Sequence, residues 1–192
     1  LMGACFMYNI SSVYLASGKM DVDNSTPVDP AAGKYYTAME HHWDEGYGYF
    51  TDAVDYPDNG TNRFWGKYAN SREVVLGSAS KISEAFRLGR AAISQDNMVV
   101  RDAQIEVINR ELERLAAGTA IHYLNDAITD FGDDALRNHE LSEFKAFLQE
   151  QLEGARAEAG GAVADEDDQS DAASVATAQG SVRAREPGGA GG

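Results

Sequence analysis

Apolar positions along this chain recur every three or four residues, which is the spacing of one face of an α-helix. The longest such pattern runs from about Asn97 to Thr129 and has its apolar face at Val100, Ala103, Val107, Ile108, Leu112, Leu115, Ala116, Thr119 and Tyr123. Three further helices are predicted, at Lys34–Tyr49, at Asn70–Ile93 and from the N-cap residue Asn138 to about Leu152. Alternating β-branched runs, typical of strands, are nearly absent. The pattern therefore predicts an all-α fold, arranged as a helical bundle.

The segment Leu1–Ala16 is also apolar at helical spacing. No basic residues precede the apolar run and no A-x-A cleavage site is present, so the segment does not have the pattern of a signal peptide. We expect it to be an internal helix of a truncated protein. No stretch reaches about 18 consecutive apolar residues, so no transmembrane helix is predicted.

The end of the chain differs in composition from the rest. Residues 153–192 consist mainly of Ala, Gly, Asp, Glu, Ser and Gln and contain no aromatic residue. Such a segment cannot bury enough apolar area to offset the conformational entropy that is lost on folding. We therefore expect a helical bundle domain over residues 1–152 and a disordered acidic tail over residues 153–192.

Acidic residues outnumber basic ones, 31 to 16, and give the chain a formal net charge of −15. This balance argues against nucleic acid and against an anionic membrane surface as partners, because both depend on Lys and Arg. The single cysteine excludes an internal disulfide framework. The motifs G-x-S-x-G, the P-loop and G-x-G-x-x-G are absent from the sequence. The residues alone therefore specify no reaction.

Candidate chemistry centres on the segment Met39–Glu45, which contains two of the four histidines. On a helix, His42 faces Glu45 three residues later, and His41 faces both Asp44 and Glu45. An imidazole beside a carboxylate is a common set of ligands for zinc or ferrous iron. His42 and Glu45 are therefore the first candidates for a metal site, and a structural ion pair is the alternative.

Further metal ligands would have to come from other helices. His122 has Asp126 four residues later in the longest helix, and His139 has Glu143 at the same spacing in the last helix. The alternative for His122 is a half-buried side chain that is hydrogen-bonded to its neighbours, and His139 fits a helix N-terminus. His41, His122 and Asp126 are added to the candidate ligands.

Aromatic residues crowd into one part of the chain: Tyr35, Tyr36, Trp43, Tyr47, Tyr49, Phe50, Tyr56, Phe64, Trp65 and Tyr68. These side chains either pack the short helix and its following loop onto the long helices or line a ligand pocket. Core packing is the interpretation that we favour from the sequence.

Five segments carry distinctive motifs: Tyr36–Phe50, Arg63–Asn70, Gly89–Ile93, Ala120–Asn125 and Arg137–Glu143. Together they resemble the signature of an uncharacterised family of bacterial envelope lipoproteins, over about residues 1–143. That family is similar in style to the imelysin-like proteins, which are all-helical and associated with iron uptake at the bacterial envelope.

The resemblance implies an imelysin-like bundle in the cell envelope, periplasmic or at the outer membrane, with a lipid anchor in the full-length protein. The imelysin hallmark is G-x-H-x-x-E on a helix, and this chain keeps His42 and Glu45 but has Glu40 where Gly would stand. The secretion signal and lipidated cysteine of the family have no counterpart in the sequence, so we expect a fragment of a larger bundle.

Three functions are consistent with these features. The first, which we expect, is a non-enzymatic protein of iron acquisition that binds a metal ion, iron or zinc, or a small ligand. His42 and Glu45 would hold the metal, with His41, His122 and Asp126 as helpers. The second is a scaffold that docks an envelope receptor or another envelope protein. The third is a metal-dependent hydrolase, which needs a third protein ligand and an open coordination position.

Overall fold

The computed structural model describes residues 2–58 and 63–149. Its elements follow in the order α1 (Met2–Tyr8), a π-helix (Asn9–Tyr14), α2 (Ser17–Met20), β1 (Pro27–Asp29), a 3₁₀ helix (Pro30–Ala32), β2 (Lys34–Thr37), α3 (Ala38–Phe50), α4 (Phe64–Leu76), α5 (Ser78–Ser94) and α6 (Met98–Thr129). A further helix, α7, extends over 134–149. The predicted all-α fold is confirmed. The predicted disordered tail and the domain boundary at 152 lie outside the described residues.

Helices α5 and α6 pack against each other and supply much of the core. The side chain of Asn97 accepts a hydrogen bond from the Val100 backbone N–H at 3.2 Å and caps α6, which ends at Thr129 as the apolar pattern predicts. The middle of the predicted apolar face is fully buried, at Ile108, Leu112, Leu115, Ala116 and Thr119. Its first positions, Val100 and Ala103, are exposed, because the inward position of the first turn is occupied by Arg101, which is 6% exposed.

The helix predicted over Asn70–Ile93 is two helices. Gly77 adopts a left-handed conformation, with a φ of +64°, between α4 and α5. The carboxylate of Glu73 reaches across this corner and accepts a hydrogen bond from the Ala79 backbone N–H at 2.6 Å, which caps α5. The prediction of one continuous helix was wrong because a glycine inside an apolar pattern gives a weak break signal.

The helix predicted from Lys34 begins four residues later than expected. Residues Lys34–Thr37 form β2, which pairs with β1 in an antiparallel hairpin. Thr37 and Glu40 then form a capping box, in which Thr37 Oγ1 accepts from the Glu40 N–H at 3.2 Å and Glu40 Oε2 accepts from the Thr37 N–H at 2.9 Å. The two strands are short and largely exposed, so they leave no apolar alternation in the sequence.

Helix α7 begins before the predicted N-cap, Asn138. The carboxylate of Asp133 accepts hydrogen bonds from the backbone N–H groups of Ala135 and Leu136, at 2.9 and 3.1 Å, and provides the actual cap. Phe147 of α7 is 5% exposed and contacts aromatic rings of α4 and α6: Trp65, Tyr68 and Tyr123. Helix α7 therefore closes one side of the core. Its predicted end at Leu152 lies outside the described residues.

The apolar N-terminal segment is helical, as predicted, although its second half is π-helical. Ile10 and Leu15 are buried, and the rings of Phe6 and Tyr14 lie against Tyr49 of α3, with centroid distances of 5.6 and 5.4 Å. This segment therefore belongs to the core. Within the described ranges, no helix combines the length and the hydropathy needed to cross a bilayer.

Candidate ligand-binding site

A cavity of about 380 Å³ opens between α3, α5 and the loop that follows α3. Four aromatic side chains contribute to its wall: Trp43, Tyr47, Tyr56 and Phe86. Polar side chains lie among them, namely Asp44, Ser83, Arg87, Arg90 and Ser94. A concave wall that combines aromatic and apolar side chains with a few polar groups is the usual construction of a small-molecule site.

Trp43 is fixed in the wall by its contact with α5. The indole is 1% exposed, and its Nε1–H donates to the backbone carbonyl of Phe86 at 3.0 Å. The ring lies directly over Gly89, where a Cβ atom would come within 2.1 Å of Trp43 Cζ2. The small residue at position 89 therefore lets α3 and α5 approach each other closely.

The two tyrosines of the wall are held by backbone carbonyls. Tyr47 Oη donates to the carbonyl of Ala53 at 2.6 Å, and Tyr56 Oη donates to the carbonyl of Gly66 at 3.1 Å. Burial, followed by the charge of Asp55, raises the pKa of Tyr47. Burial also raises the pKa of Tyr56 well above its usual range. Both phenols are therefore neutral donors that serve the fold, and their rings present carbon to the cavity.

A charged network closes one end of the cavity and joins α3 to α5. Arg90 Nη1 lies 2.6 Å from Glu40 Oε1 and 2.7 Å from Ser94 Oγ, and Arg90 Nε lies 3.0 Å from Asp44 Oδ1. Burial opposes ionisation of Glu40, but hydrogen bonds from Ser94, the Thr37 N–H and Arg90 outweigh it and lower the pKa of that carboxyl. The Nε and Nη1 atoms of Arg90 are therefore engaged within the protein.

Asp44 is the more open acid of this network, with 55% of its side chain exposed. Partial desolvation at the cavity edge raises the pKa of Asp44, and the charge of Arg90 offsets part of that rise. Solvent screens a carboxylate that is this exposed, so the shift carries little energy. Asp44 acts mainly as the second partner of Arg90.

Arg87 differs from Arg90 in having no carboxylate partner. Its side chain lies in the cavity wall and is near enough to Tyr47 for its charge to lower the pKa of that phenol, against the larger effect of burial. In the part of the chain that the structure describes, no acidic side chain comes within ion-pair distance of Arg87. Arg87 is thus a positive charge at the cavity that has no ion-pair partner among the described residues.

The histidine pair predicted from the sequence lies on α3. His42 Nδ1 is 3.2 Å from Glu45 Oε2, and His41 Nε2 is 3.6 Å from Glu45 Oε1, so one carboxylate serves both rings. The His41 ring also stacks on Tyr36, with a centroid distance of 5.3 Å. His42 is the better covered of the two, with 18% of its side chain exposed against 49% for His41.

The second predicted pair lies on α6, where His122 Nε2 is 2.9 Å from Asp126 Oδ2. Both side chains are about 40% exposed. Within residues 2–58 and 63–149, no three side chains of the types His, Cys, Asp and Glu are arranged to hold a metal ion. The structure forms the predicted His–carboxylate pairs, and metal binding by these residues stays a prediction.

Residues 1–165 match the model of a family described as "Domain of unknown function (DUF4856)". The chain belongs to this family. No curated protein and no solved structure matches the chain. The predicted membership of a family without an assigned activity is therefore confirmed at this level, and the DUF4856 match extends beyond the predicted limit at Glu143.

In this DUF4856 protein, sequence reasoning missed the two arginines of α5. The sequence contained one signal for a site in this region, the crowding of aromatic residues. A ligand pocket was the alternative to core packing for those residues. Arg87 and Arg90 lie more than 40 residues after Trp43 in the chain, and only the packing of α5 on α3 brings them to the same wall. A helical pattern places charged residues on an outer face by default, so neither arginine was singled out.

Proposed function

We propose that this protein is a non-enzymatic binding protein that holds a small organic ligand in the cavity between α3 and α5. The observation that carries the proposal is the aromatic wall, whose polar atoms are already hydrogen-bonded to the protein. Such a wall offers apolar surface to a ligand without leaving buried polar groups unpaired. The volume of about 380 Å³ lies within the usual range of small-molecule sites, about 300–1,000 Å³.

The hydrogen bonds of the polar groups in the cavity also favour a binding function over a catalytic one. The hydroxyl of Ser83 donates to the Tyr56 carbonyl at 2.9 Å, and the hydroxyl of Ser94 donates to Glu40 at 2.6 Å. Neither His nor Cys is among the described residues that line the cavity. Nucleophilic catalysis needs a nucleophile beside a base, and these hydroxyls face structural acceptors.

The test uses a neutral fluorescent probe, N-phenyl-1-naphthylamine, titrated into the full chain. We expect saturable binding at one site, which is weakened at least about tenfold in the variant Ala91→Phe, because Ala91 lies in the cavity wall. The matched control is Ala103→Phe, at an exposed position of α6. Absence of saturable binding, or equal weakening in both variants, would contradict the proposal.

Metal binding at the histidine pair is a second candidate function. It is favoured by one observation, the single Glu45 carboxylate that both His41 and His42 approach. Calorimetric titration with ferrous iron and with zinc is the test, and His42→Ala and Glu45→Ala should each abolish a stoichiometric site. His139→Ala, at an exposed position of α7, is the control. A well-folded native chain that takes up neither metal would contradict this function.

The finer expectations from the sequence resemblance remain proposals. They are a cell-envelope location, a lipid anchor on the full-length protein, likeness to imelysins and a part in iron acquisition. Fractionation of cells that express the full-length protein tests the first two, and recovery in the cytoplasmic fraction would contradict them. The scaffold and the metal-dependent hydrolase also stay predictions, and the cavity favours neither.

A further inference from the structure

We propose that the ligand of this cavity is a small organic anion with an apolar ring or chain, and that Arg87 binds its acidic group. This inference rests on the proposed binding function and specifies its ligand class. It starts from the difference between two arginines that lie three residues apart on α5 and line the same cavity.

Arg90 is the weaker candidate for binding an anion, because its charge is already compensated by carboxylates of the protein. Its guanidinium faces two carboxylates, Glu40 and Asp44, at 2.6 and 3.0 Å, and it also contacts the Ser94 hydroxyl. Removing it from that network would leave the largely buried Glu40 without its counter-charge, which is costly. Arg90 is therefore a structural element of the cavity wall.

Arg87 has no such role in the described part of the chain. It forms no ion pair there, and it lies in a wall that also contains four aromatic side chains. Arg87 is exposed to solvent at the cavity, so its guanidinium is accessible to a ligand that enters there and can donate a charge-assisted hydrogen bond to an acidic group. Because Asp44 is already paired with Arg90, Arg87 is the arginine of the cavity wall whose charge is available to a ligand.

The net charge of the whole chain sharpens this inference. At −15, the protein repels anions at long range, so an anionic ligand is not drawn in by the overall field. Salt screens that field beyond about 8 Å at physiological ionic strength, whereas a direct contact with Arg87 is screened much less. Selection for an anion must therefore come from contact inside the cavity, with the apolar body of the ligand against Trp43 and Phe86.

The test compares two fluorescent probes that share one ring system. N-phenyl-1-naphthylamine is neutral, and 8-anilinonaphthalene-1-sulfonate carries the same rings with one added sulfonate. We expect the native chain to bind the sulfonate about tenfold more tightly than the neutral probe, which is the effect of one charge-assisted hydrogen bond. In Arg87→Gln this preference should disappear while the affinity for the neutral probe stays within about twofold.

Two further variants make the result specific. Arg110→Gln removes one positive charge from an exposed position of α6, so it changes the net charge equally without touching the cavity, and it should leave the preference intact. Arg87→Lys keeps the charge and should retain part of the preference. Near-ultraviolet circular dichroism shows whether each variant keeps native packing.

The outcomes separate this inference from the proposed function. If the neutral probe binds and the sulfonate binds no better, or if Arg110→Gln weakens sulfonate binding as much as Arg87→Gln does, the anion inference is overturned and the binding function stands. If neither probe binds the native chain at one site, both are overturned. Loss of sulfonate preference in Arg87→Gln alone supports the assignment of Arg87.

Discussion

The contact between Trp43 and Gly89 determines the cavity wall at the scale of single atoms. The indole lies flush against α5 because position 89 has no side chain, and a Cβ there would lie 2.1 and 2.2 Å from two ring carbons of Trp43. Real non-bonded atoms do not approach so closely, and the neighbour is a rigid ring held by its hydrogen bond to the Phe86 carbonyl. The absence of a side chain at Gly89 therefore allows α3 and α5 to approach each other closely.

Gly89→Ala is expected to destabilise the protein by about 3 kcal/mol, since the added methyl group overpacks a filled site and forces Trp43 or α5 to move. It should also weaken binding of N-phenyl-1-naphthylamine, because Trp43 forms part of the cavity wall. Urea unfolding and probe titration measure the two effects. The control is Gly48→Ala in α3, where a Cβ would meet nothing within 4 Å.

Gly48→Ala should raise the stability by about 0.5–1 kcal/mol, because alanine loses less conformational entropy than glycine in a helix. A Gly89→Ala variant as stable as the native chain would show that α5 can shift without cost. In that case, glycine would not be required at position 89 by its close contact with Trp43.

At the scale of elements, α3 and α5 are joined by a partly buried charge network as well as by aromatic packing. The sequence predicts helical structure for both segments, although it merges α5 with part of α4, and it does not predict the network, because Glu40 and Arg90 lie 50 residues apart in the chain. The capping box of Thr37 and Glu40 shows the same limit. Its T-x-x-E spacing is visible in the sequence, yet the apolar pattern placed the helix start earlier, within the exposed strand β2.

Glu40→Gln is expected to cost about 1.5–3 kcal/mol of stability at neutral pH, because it removes the charged acceptor of Arg90 and Ser94. The cost should depend on pH. Folding lowers the pKa of Glu40, so its ionised form contributes stability above the ordinary glutamate pKa of about 4.3. That contribution is lost as the pH falls through the lowered pKa of the folded state.

The stability difference between the native chain and Glu40→Gln should therefore be constant near pH 7 and narrow below about pH 4.3. Urea unfolding at a series of pH values measures it. Glu106→Gln, at an exposed position of α6, is the control and should show no comparable loss at neutral pH. A difference that stays constant down to the lowest pH would contradict the role of the ionised carboxylate.

At the scale of the whole molecule, sequence patterns predicted the helices that bury one apolar stripe. They did not predict features that depend on contacts between distant parts of the chain. Helix α6 followed its apolar spacing, but it also buries Arg101 and Glu111, which are 6% and 3% exposed. Glu111 accepts two hydrogen bonds from Arg114, at 2.6 and 2.7 Å, and such local pairing makes a buried charge tolerable. The aromatic crowding raised a ligand pocket as an alternative, but the position of the cavity and its arginines depend on how α5 packs on α3 and could not be predicted.

The aromatic residues show how one pattern served two purposes. The sequence left core packing and a ligand pocket as alternatives for the same crowded segment, and the structure divides the residues between them. Trp43, Tyr47 and Tyr56 line the cavity, whereas Trp65 and Tyr68 pack with Phe147 in a cluster that joins α4 to α7. Trp43 and Tyr56 therefore belong both to the core and to the cavity wall, whereas Trp65 and Tyr68 belong to the core packing alone.

This division leads to a prediction for the cluster around Phe147, which no residue of the cavity wall shares. Phe147→Ala should cost about 3–5 kcal/mol, because it empties a buried site between three aromatic neighbours. Leu148→Ala, at a position that is 41% exposed, should cost much less and serves as the control. Urea unfolding measures both.

The same variant should leave binding intact. In the absence of denaturant, folded Phe147→Ala protein should bind N-phenyl-1-naphthylamine with native affinity, since its cavity between α3 and α5 keeps every lining side chain. Weaker binding in proportion to lost stability would mean that the cavity exists only in a fully packed bundle. Native affinity at reduced stability would show that α7 closes the core, while α3, α5 and the loop after α3 form the binding site without it.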